Sequence, residues 1–279
     1  MKITLDAAAQ FLRGQDHFLI LTHKNPDGDT LGSAIALCHA LRACGKEAFV
    51  LENEGATARY APWLTAVTAP AAYCPGCVLS VDTAAVDMLS KNCSAYAGEI
   101  SLALDHHISH KEYAAQSVID PVAAACGEVI WRLAGLLEIP ITREIAEAVY
   151  IAVSTDTSCF LNSNTTADTH RIAAELYPYG VNFDAINRIF FVVKTRARLT
   201  LEAILIQNMH FYRNGEIAVM QITDALIQDV GACEDDLDNI SSLARSMEGV
   251  EIGIVVRERA PGISKISMRS SNRANVSSI

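Results

Sequence analysis

Four short apolar runs recur through the first part of the chain: HFLILT from residue 17, EAFVLE from 47, CVLSVD from 77 and ISLALD from 100. Each has strand length, and none alternates cleanly with polar residues, which is the mark of a strand buried on both faces. Stretches of helical spacing lie between and after them: TLGSAIALCHALRACG closing on Gly45, GEVIWRLAGLLE, REIAEAVYIAVSTD, and TADTHRIAAELYPYG closing on Gly180. Strands alternating with helices build a mainly parallel sheet with helices on both faces. Residues 1–184 therefore read as one α/β domain, in which ligands are expected beyond the carboxyl ends of the strands.

The rest of the chain reads differently. Residues 185–213 are expected to form one long linker helix, rich in Lys and Arg in its first half. Residues 214–279 read as a smaller α/β domain: a strand at EIAVMQI, a helix at EDDLDNISSLARSM, and strands at VEIGIVVRE and SKISMRS joined by a turn at Pro261-Gly262.

Bulk properties exclude several classes. With 51% hydrophobic and 19% charged residues, the chain can fill a core and is not disordered. No apolar run reaches the roughly 18 residues that span a bilayer. The first residues carry charges throughout, so no secretory leader is expected. The 8 cysteines are scattered, which fits reduced thiols and a cytoplasmic location. The formal net charge of −10 argues against gripping long duplex DNA. That charge is unevenly placed: residues 1–184 carry 21 acids and 11 bases, whereas residues 185–279 carry 11 of each.

The chemistry-bearing residues sit at the ends of the predicted elements. His23, Asp27 and Asp29 follow the first strand, Asp82 ends CVLSVD, Asp105, His106 and His107 end ISLALD, and Asp156 closes REIAEAVYIAVSTD. A parallel sheet brings these ends to one edge. Carboxylates crowded there would repel and raise one another's pKa, and divalent cations remove that conflict. Five carboxylates with two or three imidazoles can hold two metal ions. The mixed oxygen and nitrogen donors suit Mn²⁺ best, with Mg²⁺ or Fe²⁺ as alternatives. Two such ions can clamp a phosphate and generate a hydroxide nucleophile at neutral pH. Each short pattern is weak alone; the four together are specific.

In that combination, His23-x-x-x-Asp27-x-Asp29, Asp82, Asp105-His106-His107 and Asp156 resemble the motifs of the DHH superfamily of phosphoesterases. HKNPDGDTLGSAIAL and TDTSCFLNSNTT are similar to its branch of bifunctional oligoribonucleases and adenosine 3′,5′-bisphosphate phosphatases, the nanoRNases. The resemblance covers nearly the whole chain. It implies that His23, Asp27 and Asp82 hold one metal and that Asp29, Asp82, His106 and Asp156 hold the other, with Asp82 shared. It implies that Asp105 orients His106, that His107 donates to the scissile phosphate or the leaving group, and that Arg269 and Ser270 bind a substrate phosphate. The expected substrates are short RNA oligonucleotides and adenosine 3′,5′-bisphosphate; cyclic or linear dinucleotides are the alternative. A homodimer is compatible with the resemblance. Members of the family continue past a stretch like NVSSI into a glycine-rich loop ending in histidine; this chain stops at Ile279, so the second domain reads as incomplete.

Other features have plainer readings. Cys74-Pro-Gly-Cys77 lacks the second pair that a zinc site needs and reads as a turn. The glycines of GDTLG are expected to let the backbone approach the metals, with Thr30 or Ser33 capping the helix. His110 stands outside the motifs and reads as structural. A non-catalytic nucleotide- or RNA-binding module on the same fold is the reading from another class, against which the full set of ligand-type residues argues.

Overall fold

In the computed structural model, all residues except 238, 261, 272–275 and 277–279 are described. The chain divides into two compact units, Met1–Val192 and Val193–Ile279. The turn expected at Pro261-Gly262 and the NVSSI end fall largely outside the described residues.

The first unit runs α1 (Leu5–Gly14), β1 (Phe18–Leu21), α2 (Gly28–Ala43), β2 (Ala48–Val50), α3 (Ala61–Leu64), β3 (Cys77–Val81), β4 (Ile100–Asp105), β5 (Gln116–Ile119), α4 (Cys126–Leu136), α5 (Arg143–Asp156), α6 (Ala167–Glu175) and α7 (Phe183–Asn187). Its sheet has five parallel strands in the order β2-β1-β3-β4-β5. The apolar runs are buried on both faces. Phe18, Ile20, Leu79, Val81, Leu102 and Leu104 pack into a core with α1, α2, α4 and α5. Their neighbours Leu19, Leu21, Val78 and Ala103 face the opposite side, where Leu89 and Cys93 from the 3₁₀ segments around 86–96 cover them. The strand order reverses between β1 and β3, and it is beside such a reversal that α/β sheets hold their ligands.

Two glycines set how closely the helices approach. A Cβ on Gly32 would lie 2.6 Å from the Ala148 carbonyl oxygen, and one on Gly127 would lie 2.5 Å from the Ala152 Cβ. Glycine there lets α2 and α4 press against α5. The cap of α2 also differs from expectation: Asp27, not Thr30 or Ser33, accepts a hydrogen bond from the Thr30 amide at 3.1 Å.

The second unit contains α8 (Arg196–Gln207), β6 (His210–Tyr212), β7 (Ile217–Ile222), α9 (Asp224–Val230), β8 (Ile252–Ala260) and β9 (Ile263–Ser270). Its sheet order is β6-β7-β8-β9, with only the β7–β8 pair parallel. Leu201 and Leu205 of α8 join Ala218, Met220, Ile222 and Val255 in its core.

Two expected helices are broken. The stretch 185–213 is not one linker helix: α7 passes into a π-helical turn at Arg188–Val192, and Thr195 then caps a new helix by accepting from the Arg198 amide. The new helix buries Leu201 and Leu205 and so belongs to the second unit. The described residues of EDDLDNISSLARSM form 3₁₀ segments at Glu234–Leu237, Ile240–Ser242 and Ala244–Ser246 instead of a helix, with Asn239 at φ +53° before the second.

Candidate metal centre

Three strand ends and one helix end build the site. His23 lies two residues beyond β1 and is 9% exposed. Asp27 caps α2 and remains exposed, whereas Asp29, one step into the helix, is buried. Asp29 is held firmly. Its Oδ1 accepts from Ser33 Oγ at 3.0 Å and from the Gly127 amide at 3.0 Å, and its Oδ2 accepts from the Cys126 amide at 2.7 Å. Those two amides open α4, whose helix dipole favours negative charge at that end.

Asp82 follows β3 with φ +49°, a left-handed conformation that aspartate tolerates better than most residues. The bend aims its buried carboxylate back over the strand ends. Its Oδ2 is 3.7 Å from His23 Nε2, and its Oδ1 is 3.4 Å from His106 Nε2. Oδ1 has no hydrogen-bond partner among the described residues, although it is buried. His106 Nδ1 donates to the Ala123 carbonyl at 3.1 Å, which turns Nε2 toward Asp29 Oδ2, 3.5 Å away. Asp156 ends α5, and Asn164 donates to its Oδ2 at 3.2 Å and to the Ala124 carbonyl at 3.0 Å.

Potential ligand atoms converge in overlapping sets: His23 with Asp27 and Asp82, Asp29 with His106 and Asp156, and Asp82 with His106 and His107. Within each set they lie within 4.8 Å of one another. The structure thus brings together His23, Asp27, Asp29, Asp82, His106 and Asp156. Arg269 and Ser270 lie on β9 of the second unit: Arg269 is exposed, and the Ser270 carbonyl accepts from Arg245.

One expected role changes. Asp105 does not hold the His106 ring, which is taken by Ala123. Asp105 Oδ1 instead accepts from His107 Nδ1 at 2.8 Å, and Oδ2 accepts from His110 Nδ1 at 2.7 Å. The turn after β4 sets which ring faces the carboxylate, and the D-H-H spacing alone leaves that open. Sequence reasoning gave Ser33 only a capping role and did not anticipate Asn164 or the Cys126 and Gly127 amides as partners of the ligand carboxylates.

The charges fit a cation. Burial alone would lower the pKa of His23, but the facing carboxylates of Asp27 and Asp82 outweigh it and raise it to about 9. The same contest at His106, with Asp82 and Asp29, ends at about 10. Burial and then the charge of Asp82 push Asp29 well above the ordinary carboxylate range. Burial also lifts Asp156 to about 6, with Asp82 and Asp27 adding to it and His106 opposing. Without metal, the cluster holds protons where positive charge is wanted. An orphaned buried oxygen at its middle, fixed carboxylates and the His106 imidazole oriented through its far nitrogen make a donor set suited to divalent metal.

The chain is 32% identical to the bifunctional oligoribonuclease and PAP phosphatase NrnA of Thermus thermophilus over 254 residues, covering 90% of this chain and 75% of that protein. It is 24% identical to the probable bifunctional oligoribonuclease and PAP phosphatase NrnA of Streptococcus mutans, covering 93% and 83%. A solved exopolyphosphatase-related protein of Bacteroides fragilis shares the fold with a TM-score of 0.86 at 21% identity, over 96% of this chain and 83% of that one. The two likenesses to NrnA proteins define the class: a hydrolase of phosphoester bonds. Residues 17–153 match the model of the DHH family N-terminal domain, and the chain belongs to the DHH family.

Proposed function

We propose that this enzyme is a metal-dependent phosphoesterase that hydrolyses short RNA oligonucleotides and adenosine 3′,5′-bisphosphate. The observation that carries this reading is the set of ligand-type residues around the orphaned Asp82 oxygen, in a chain so similar to an enzyme named for both activities. His23, Asp27 and Asp82 would hold one divalent ion, and Asp29, Asp82, His106 and Asp156 a second, with manganese the best match to the mixed donors. When bound, such ions lower the pKa of water and offset charge on a phosphate.

The chain's own residues do the rest. Ser33 and the Cys126 and Gly127 amides keep Asp29 fixed, Ala123 sets the His106 ring, and Asn164 orients Asp156. The bond from Asp105 raises the pKa of His107, so its half-exposed ring stays a proton donor to a phosphate oxygen or to the departing oxygen. Arg269 and Ser270 take a substrate phosphate, the guanidinium by paired hydrogen bonds.

The test supplies Mn²⁺ with adenosine 3′,5′-bisphosphate, RNAs of about two to five nucleotides and a linear di-adenylate in parallel, with Asp82→Asn as control. Manganese-dependent release of phosphate and mononucleotides, lost in the variant, is the expected result. Preference for the di-adenylate would move the enzyme to dinucleotide substrates. No turnover together with no bound metal would replace the enzyme by a nucleotide-binding module.

A further inference from the structure

His110 lies outside the family motifs, yet its side chain is 1% exposed and points at the site. Its Nδ1 donates to Asp105 Oδ2 at 2.7 Å, and its ring stacks on Tyr113 with centroids 5.1 Å apart. Tyr113 is itself fixed, with its hydroxyl 2.8 Å from Ser80 Oγ and donating to the Thr83 carbonyl at 2.9 Å. The Nε2 of His110 is buried with no hydrogen-bond partner among the described residues. A purely structural histidine would be expected to use both nitrogens; this one is built around a single bond.

That bond matters because of how the Asp105 carboxylate is shared. Oδ1 receives the His106 amide at 2.8 Å, the His107 amide at 3.3 Å and the His107 ring at 2.8 Å. Oδ2 receives His110 alone among the described residues. The carboxylate is almost wholly buried, so water cannot replace a lost donor. Without His110, Oδ2 would seek another donor by rotating the carboxylate, and Oδ1 would leave the line to His107 Nδ1.

The geometry points to His110 as a positioning residue for catalysis: through Asp105 it sets the orientation of the His107 ring. This rests on the functional reading above, in which His107 acts on the phosphate. Three variants separate positioning from packing. His110→Phe keeps an aromatic ring against Tyr113 and removes the donor. His110→Asn places an amide N–H where Nδ1 sits. His110→Gln moves the same amide one methylene outward, and it replaces His110→Phe in the comparison if that variant does not fold.

With Mn²⁺ and adenosine 3′,5′-bisphosphate, the Phe and Gln variants are expected to lose about 10–100-fold in kcat. KM and bound metal should stay as in the parent, and the Asn variant should recover to within about threefold of it. A second readout needs no turnover: ¹H–¹⁵N spectra of the imidazoles in metal-free protein. The His107 Nδ1 proton should keep its hydrogen-bonded shift in the Asn variant and lose it in the Gln variant. Parent-like kcat and spectra in all variants would overturn the inference, as would equal losses in Asn and Gln. Absence of turnover in the parent would overturn the functional reading alone, and the spectra would still decide the role of His110.

Discussion

At the scale of single residues, Asp82 combines a left-handed backbone with the most shared side chain. Its left-handed φ makes Asp82→Ala a mixed perturbation, adding about 1–2 kcal/mol of strain to the loss of the ligand. Asp82→Asn tolerates that backbone and is the cleaner test. It should fold and lose both divalent ions by elemental analysis; two ions retained tightly would refute the ligand assignment. Asp105 offers a different readout. Its hydrogen bond raises the pKa of His107, so a protonated His107 is lost only as pH climbs through that raised value. Asp105→Asn should lower it and move the alkaline limb of the pH–rate profile to lower pH, while an unmoved limb would remove His107 as the proton donor. The D-x-D and D-H-H patterns were readable because adjacency in sequence places those residues at one strand end. The partners of Asp105 were not, because a turn decides which ring meets which oxygen.

At the scale of elements, the segment after α5 stands out. Ser158, Cys159 and Phe160 all have positive φ, at 50°, 56° and 66°. Left-handed conformations are disfavoured for such side chains, and strain of this kind tends to gather near functional sites. The turn lets Asn162 donate to the Asp156 carbonyl and returns the chain so that Asn164 can reach the Asp156 carboxylate. Ser158→Gly should therefore raise stability by about 0.5–1 kcal/mol, the relieved strain exceeding the entropy glycine loses on folding. Thermal melting should show a gain of about 1–4 °C; an unchanged or lower midpoint would show that the turn is not strained at Ser158. Element types were legible where periodicity ran long and a cap was present, and α5 spans the expected residues. They were not legible in EDDLDNISSLARSM or 185–213, where helical composition conceals Asn239 in a left-handed conformation and the cap at Thr195.

At the scale of the whole molecule, the excess of acids in residues 1–184 includes the carboxylates of the candidate metal centre. Their protonation sets the pH response. The folded pKa values of His23 and His106, about 9 and about 10, exceed the ordinary 6.5. In metal-free protein their stabilisation is therefore fully present below about 6.5 and lost as pH rises through 9 and 10. Asp156, shifted upward to about 6, acts in the same direction at lower pH, and the upward shift of Asp29 has the same sign. Metal must displace these protons, so its affinity rises with pH. Melting curves should show metal-free protein weakening from neutral to alkaline pH and the stabilisation by added Mn²⁺ growing over the same range. A Mn²⁺ effect independent of pH would mean that the ions bind elsewhere. The sheet and the gathering of its strand ends were legible at this scale, because buried strands write themselves as unbroken apolar runs. The second face, covered by 3₁₀ segments, was not.

The ligand-type residues come from chain segments that begin at His23 and end at Asp156, with whole strands and helices between them. An ion shared through Asp82 would tie those segments like a removable staple, closing several loops of chain at once. A chelator would then do more than silence the enzyme. It should open the turns after β1, β4 and α5 to proteases and leave the interior packed through Gly32 and Gly127 as the resistant fragment, so that the pattern of cleavage would report whether the staple is in place.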